Sequence, residues 1–167
     1  MLKHAPGALP AFSHSWRIVR KEASLLEKTR ARLFSQPIDA DWVVALDRND
    51  DLAERVEAFA SRYSRLQDTL GEKLFPRLLE LVGQRGQNLI DTLNQIERIG
   101  LLDNSLDWLT WRNLRNGLVH EYVEDAVDFA EALNTANQFA GQLLGVVVAV
   151  ARWLPTVGVD QTMEGPP

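Results

Sequence analysis

Arg115 and His120 stand five positions apart in the run Arg115-Asn116-Gly117-Leu118-Val119-His120-Glu121-Tyr122. A guanidinium stays charged at physiological pH and grips phosphate through parallel hydrogen bonds, whereas an imidazole gains and loses a proton near neutrality. Phosphodiester cleavage in RNA uses those two groups. The 2′-hydroxyl is the nucleophile, so a base at that oxygen and an acid at the departing 5′-oxygen suffice without a metal. His120 is the candidate base or acid, a role worth about 10²- to 10⁴-fold. Arg115 would neutralise the charge growing on the phosphorane oxygens. Asn116 would bond a phosphate oxygen or hold Arg115 in place. The expected products are a 2′,3′-cyclic phosphate and a 5′-hydroxyl.

On an unbroken helix, positions 115 and 120 diverge by about 140° around the axis. Convergence on one phosphate needs either a bend or a second subunit. Gly117 makes a bend cheap, at about 1 kcal/mol relative to alanine. The motif is therefore expected where one helix ends and the turn to the next begins. Tyr122 continues the stripe of Trp111, Leu114 and Leu118, so its ring is expected to pack while its hydroxyl reaches the cleft.

The pattern Arg, four residues, His, one residue, Tyr, with Asn directly after the Arg, resembles the signature of HEPN-domain ribonucleases. Within them it is most similar to the HepT toxins, which are silenced by an MntA-type nucleotidyltransferase antitoxin. The resemblance implies a metal-independent endoribonuclease with no cofactor, built as an all-helical homodimer whose two motifs line one cleft. It implies Arg115, Asn116 and His120 as catalytic residues, and Tyr122 as the tyrosine that the antitoxin adenylylates. RNA and the antitoxin are the implied partners, the latter able to gather dimers into a higher oligomer. The resemblance is complete in the motif and diffuse elsewhere, so substrate choice does not transfer. A different class remains open: a non-catalytic HEPN-like module that binds nucleotide or serves a nucleotidyltransferase as its partner. A purely structural dimerisation bundle is a third. Intact Arg115 and His120 favour the enzyme.

The elements that must position this motif read as helix throughout. The chain has 167 residues, 46% of them apolar, which suits one globular domain with its own core. No cysteine is present, which excludes disulfides, thiolate nucleophiles and zinc ribbons. The first sixteen residues contain no apolar run of signal-peptide type, and the most apolar stretch, Phe139 to Leu154, is short for a bilayer. A cytoplasmic protein without membrane contact is the expectation. The net charge is −5, yet residues 1–34 hold seven cationic against two acidic side chains. A polyanion would bind locally rather than everywhere.

No alternating run of β-branched residues is bounded by hairpin turns. Residues 1–12, with Pro6, Gly7 and Pro10, read as a loose lead-in to a first helix from about Ser13 to Leu33. Asp51 and Glu54 resemble a capping box for a second helix, whose core face is Val56, Phe59, Tyr63, Leu66, Leu70 and Leu74. Pro76 is expected to kink or restart it. A third helix covers about Asn88 to Ile99, a fourth follows Asp103-Asn104-Ser105, and a fifth runs from about Glu124 to Trp153. Residues 155–167 read as a polar, disordered tail. The expected fold class is all-α: an antiparallel four- to five-helix bundle of HEPN type, homodimeric, in one domain over 1–167.

Secondary candidates are weaker. Arg62 and Arg65 share a helical face with Asp68 and Glu72 and could line the cleft as further RNA contacts, though a solvated face laced with i,i+3 and i,i+4 ion pairs is favoured. Arg17, Arg20, Lys21, Lys28 and Arg32 form a basic side of the first helix, read as solvated rather than as a docking track. Trp16, Trp108 and Trp111 sit at core spacing, not as base-stacking platforms. Asp125 and Asp128 suit a helix start better than a metal.

Overall fold

The structure, a computed structural model, describes residues 6–120 and 125–160, with only the backbone of Val119 and His120. Among the described residues all regular structure is helical and no strand occurs. The principal elements are α1 (Ala8–Leu33), α2 (Ala40–Ala45), α3 (Asp50–Thr69), α4 (Phe75–Leu81), α5 (Leu89–Ile99), α6 (Ser105–His120) and α7 (Ala126–Trp153).

Four of them close a ring: α1 packs on α3, α3 on α6, α6 on α7, and α7 back on α1. Pairings along the helices give their direction. Thr29 and Ser15 of α1 meet Arg62 and Arg77 respectively, so the chain numbers run oppositely and the pair is antiparallel. Tyr63 and Gln67 of α3 meet Trp111 and Trp108 of α6, which is antiparallel again. Short α2 lies against α7, and α5 bridges α4 and α6. The core fills the ring with Phe12, Val19, Leu26, Phe59, Leu66, Leu133, Ala140 and Leu143, each all but sealed from water.

Local chemistry explains the boundaries. The first helix begins at Ala8, ahead of the expected Ser13, because Pro10 falls in its first turn, where backbone amides have no intrahelical acceptor and a proline costs nothing. Ala8 and Phe12 then join the core, so the lead-in ends at Gly7. The cap of α3 is Asn49, whose side chain accepts from the Leu52 amide, in place of the expected Asp51. Asn88 caps α5, and Gly100 closes it with the left-handed conformation that side chains resist (φ 86°). Asn104 accepts from the Leu106 amide at 2.8 Å to open α6, and Asp125 caps α7 through the Val127 and Asp128 amides.

Pro76 stands in the first turn of a new α-helical segment, α4, as the restart reading expects. The run continues from Asp50 to Leu81, but Leu70–Leu74 widens into a π turn just before the proline. Proline lacks an amide and crowds the carbonyl four residues back, and the wider turn relieves both. Gly71 lies in this turn, where an added Cβ would come within 3.2 Å of the Trp108 ring. Beyond α7, Leu154–Val157 forms a 3₁₀ turn and Val159 is buried, so packed chain extends past Pro155; residues 161–167 lie outside the described part.

Candidate functional site

The site is built on the α3–α6 contact. Trp108 and Trp111 of α6 are buried, and their rings join Phe75 and Phe139 in a chain of contacts at 5.2, 5.9 and 6.4 Å between centroids. Steps of three and four residues place Arg115 on the same stripe, at a position where an apolar residue would be ordinary. It is only 4% exposed.

Polar side chains of α3 stitch this stripe down. The Tyr63 hydroxyl donates to the Trp111 carbonyl at 3.2 Å, and Gln67 Nε2 donates to the Trp108 carbonyl at 2.9 Å. Arg115 completes the row by reaching back to α3. Its Nη1 donates to the Ser64 carbonyl at 2.9 Å, and its Nη2 to Asp68 Oδ1 at 2.6 Å. Its Nε is sealed from solvent with no hydrogen-bond partner. The Asp68 side chain remains 45% exposed, so the ion pair sits where the α3–α6 seam meets the surface. Burial raises the pKa of Tyr63 well above the ordinary tyrosine value, against a smaller opposing effect of the Arg115 charge.

Around this seam the motif residues fall as follows. Asn116 is exposed. Gly117 has no neighbour within 4 Å of an added Cβ and no left-handed dihedral, and the helix passes through it to His120. The bend expected there is absent, because helical hydrogen bonding carries on past the glycine. Positions 115 and 120 therefore keep the divergence of about 140° that an α-helix imposes. One protomer's backbone does not bring them to a common side. The motif does occupy the last turns of α6, as expected. The His120 side chain and all of Tyr122 lie outside the described residues.

Arg62 and Arg65 lie on α3 but do different things. Arg62 Nη1 donates to the Leu25 carbonyl at 3.3 Å and to the Thr29 hydroxyl, making it a strut between α3 and α1. It also lines an open groove of about 420 Å³ together with Thr29, Arg32, Asp51, Glu54 and Arg55; Arg115 is not among the lining residues. Arg65 is exposed and faces Glu22 of α1. Among the described residues no ion pair joins Arg62 or Arg65 to Asp68 or Glu72. The expected ladder along one helix is thus replaced by a pair across two helices.

Three groups take roles that the sequence does not reveal, two at the seam and one where α1 meets α3. Asp68 and Ser64 hold Arg115 from 47 and 51 positions away, a separation that periodicity does not report. The available signal was the placement of Arg115 in step with Trp108 and Trp111. The third group is Glu22. One of its carboxylate oxygens is buried without a partner, and desolvation raises its pKa, opposed by a Thr69 hydrogen bond and the charges of Arg65 and Lys73. The basic residues Arg17, Arg20, Lys21, Lys28 and Arg32 are all exposed on the outer side of α1.

The apolar run from Phe139 belongs to a longer helical stretch, Ala126–Val157, which by length and composition could cross a bilayer. Its inner face nevertheless packs on α1, α2 and α6 through residues such as Leu133, Ala140, Leu143 and Val150. No group of three or more histidine, aspartate or glutamate side chains arranged to hold a metal occurs among the described residues. No family model, no curated protein and no solved structure matches the chain.

Proposed function

We propose that the chain is a metal-independent endoribonuclease of the HEPN type, acting in the cytoplasm as the toxin of a toxin–antitoxin pair. Two copies abut so that Arg115 of one copy and His120 of the other face a shared phosphate. His120 moves the proton, Arg115 stabilises the phosphorane, Asn116 assists at a phosphate oxygen, and Arg62 and Arg65 lend weaker RNA contacts. An MntA-like nucleotidyltransferase silences the enzyme by adenylylating Tyr122.

The observation that carries this reading is Arg115 itself, a permanent charge held 4% exposed with an unpartnered Nε in a core register. Burying such a charge works against stability, and an apolar residue of similar volume would serve the fold as well or better. Buried charges without a full set of partners are candidates for functional groups. The unbroken helix through Gly117 adds to the case for a second copy, since the chain itself supplies no bend.

The test is cleavage of RNA in EDTA, with cyclic-phosphate ends sought among the products. Cutting should survive chelation and vanish in both Arg115→Ala and His120→Ala. A second reading has one observation in its favour: Arg115 already has acceptors inside its own protomer, as in a non-catalytic module that only binds nucleotide or a nucleotidyltransferase. RNA left intact by unmodified protein would select that reading.

A further inference from the structure

Of the five N–H donors of Arg115, two are spent on α3 and the one on Nε is sealed inside, which leaves one each on Nη1 and Nη2. A free arginine side chain loses rotamer freedom on binding, and a fork pinned beforehand loses less on meeting a phosphate. The pin here has two parts. The Ser64 carbonyl is backbone and is fixed by its helix, whereas the Asp68 carboxylate is a side chain lying 2.6 Å from Nη2 at the open rim of the seam. Arg62 and Arg65 share the Asp68 helix face, yet neither pairs with Asp68 among the described residues.

We propose that Asp68 is the positioning residue of Arg115, its carboxylate fixing the plane of the guanidinium so that the donors it leaves free meet the scissile phosphate. The inference rests on the reading of Arg115 as the phosphate-binding group. Asp68 touches no RNA atom in this scheme and acts only through the arginine. Asparagine at 68 keeps a neutral acceptor but loses the charge-assisted bond, and glutamate keeps the charge at a longer reach.

The experiment is single-turnover cleavage of a labelled RNA in EDTA by the full chain in excess, with thermal unfolding recorded for every variant. Asp68→Asn should lower the maximal rate by about tenfold, the order expected from losing aim at a developing charge. Half-saturation by protein should shift less than about threefold, and the histidine limb of the pH–rate profile should not move. Asp68→Glu should recover part of the rate. In an Arg115→Lys background, whose ammonium offers no plane to orient, Asp68→Asn should change the rate by less than about threefold, since coupled residues are non-additive. A rate within twofold of the parent for Asp68→Asn overturns the proposal. So does an equal loss in both backgrounds that follows the melting temperature, which would mark Asp68 as a structural strut alone. An active parent with an indifferent Asp68 sinks only this inference, whereas an inactive parent sinks the nuclease reading and this with it.

Discussion

Replacing Arg115 by methionine separates what the guanidinium does for the fold from what it does for function. Methionine has a similar length and no polar atoms. The change removes the bonds to Ser64 and Asp68, worth about 1 and about 2 kcal/mol as neutral and charged acceptors. Neither acceptor is stranded. The Ser64 carbonyl keeps its place in the α3 hydrogen-bond ladder, and Asp68, 45% exposed, returns to water. On the other side, the unpartnered Nε disappears together with its penalty of about 1–3 kcal/mol, and an apolar stem takes its place beside Trp111. The balance lies within about 1 kcal/mol of zero. Asp68→Ala is not symmetrical, because it leaves a sealed cation short of an acceptor and should cost about 1–2 kcal/mol, discounted for the exposure of the pair. For a chain of this size that is a fall of about 2–8 °C in melting temperature, against less than about 4 °C for Arg115→Met. Urea and thermal unfolding followed by circular dichroism at pH 7 would measure both. A loss above about 2 kcal/mol for Arg115→Met would show that the pair serves the fold, and a neutral Asp68→Ala would refute the claim that the buried guanidinium depends on its carboxylate.

Two further outcomes follow from the titratable groups. Desolvation raises the Glu22 pKa, so this residue's stabilising contribution is present when it is protonated and is lost as pH rises through the folded value. Glu22→Gln should therefore raise the melting temperature at pH 7 by roughly 2 °C, the gain shrinking as pH falls below the ordinary glutamate range; an equal gain at pH 4 would contradict the assignment. Tyr63→Phe should cost about 1 kcal/mol at pH 8 for the lost bond to the Trp111 carbonyl. Because burial raises the Tyr63 pKa, the parent loses stability above the ordinary tyrosine range, and the deficit of the phenylalanine variant should narrow by pH 11. A deficit unchanged from pH 8 to pH 11 would refute the burial argument.

The helices were readable because apolar residues recur at helical spacing: Val56, Phe59, Tyr63, Leu66, Leu70 and Leu74 are all buried as that spacing demands. Boundaries were less so, for local reasons. Asn49 and Asp51 both have capping side chains, and only the entry path of the chain chose between them. Pro10 read as a breaker because its distance from the helix start was unknown. The Arg115–Asp68 pair was invisible for a different reason: it depends on the relative register of α3 and α6, which core packing sets and no local signal records. Gly117 marks the limit of a local signal in the other direction: its freedom makes a bend cheap without demanding one, and α6 stays helical there, which leaves the second-subunit alternative.

The wide turn at Leu70–Leu74 makes one continuous rod serve two different clients. Accommodating an additional residue in a turn rotates everything downstream by about 100°. Upstream of it the rod meets α6, and downstream, as α4, it meets α5. Excising a single residue from 70–74 would hardly shorten the rod, yet it would swing Phe75, Leu78 and Leu79 round the axis and away from the partners that now enclose them. Length variation in this fold should accordingly be tolerated in the loops and punished at this offset.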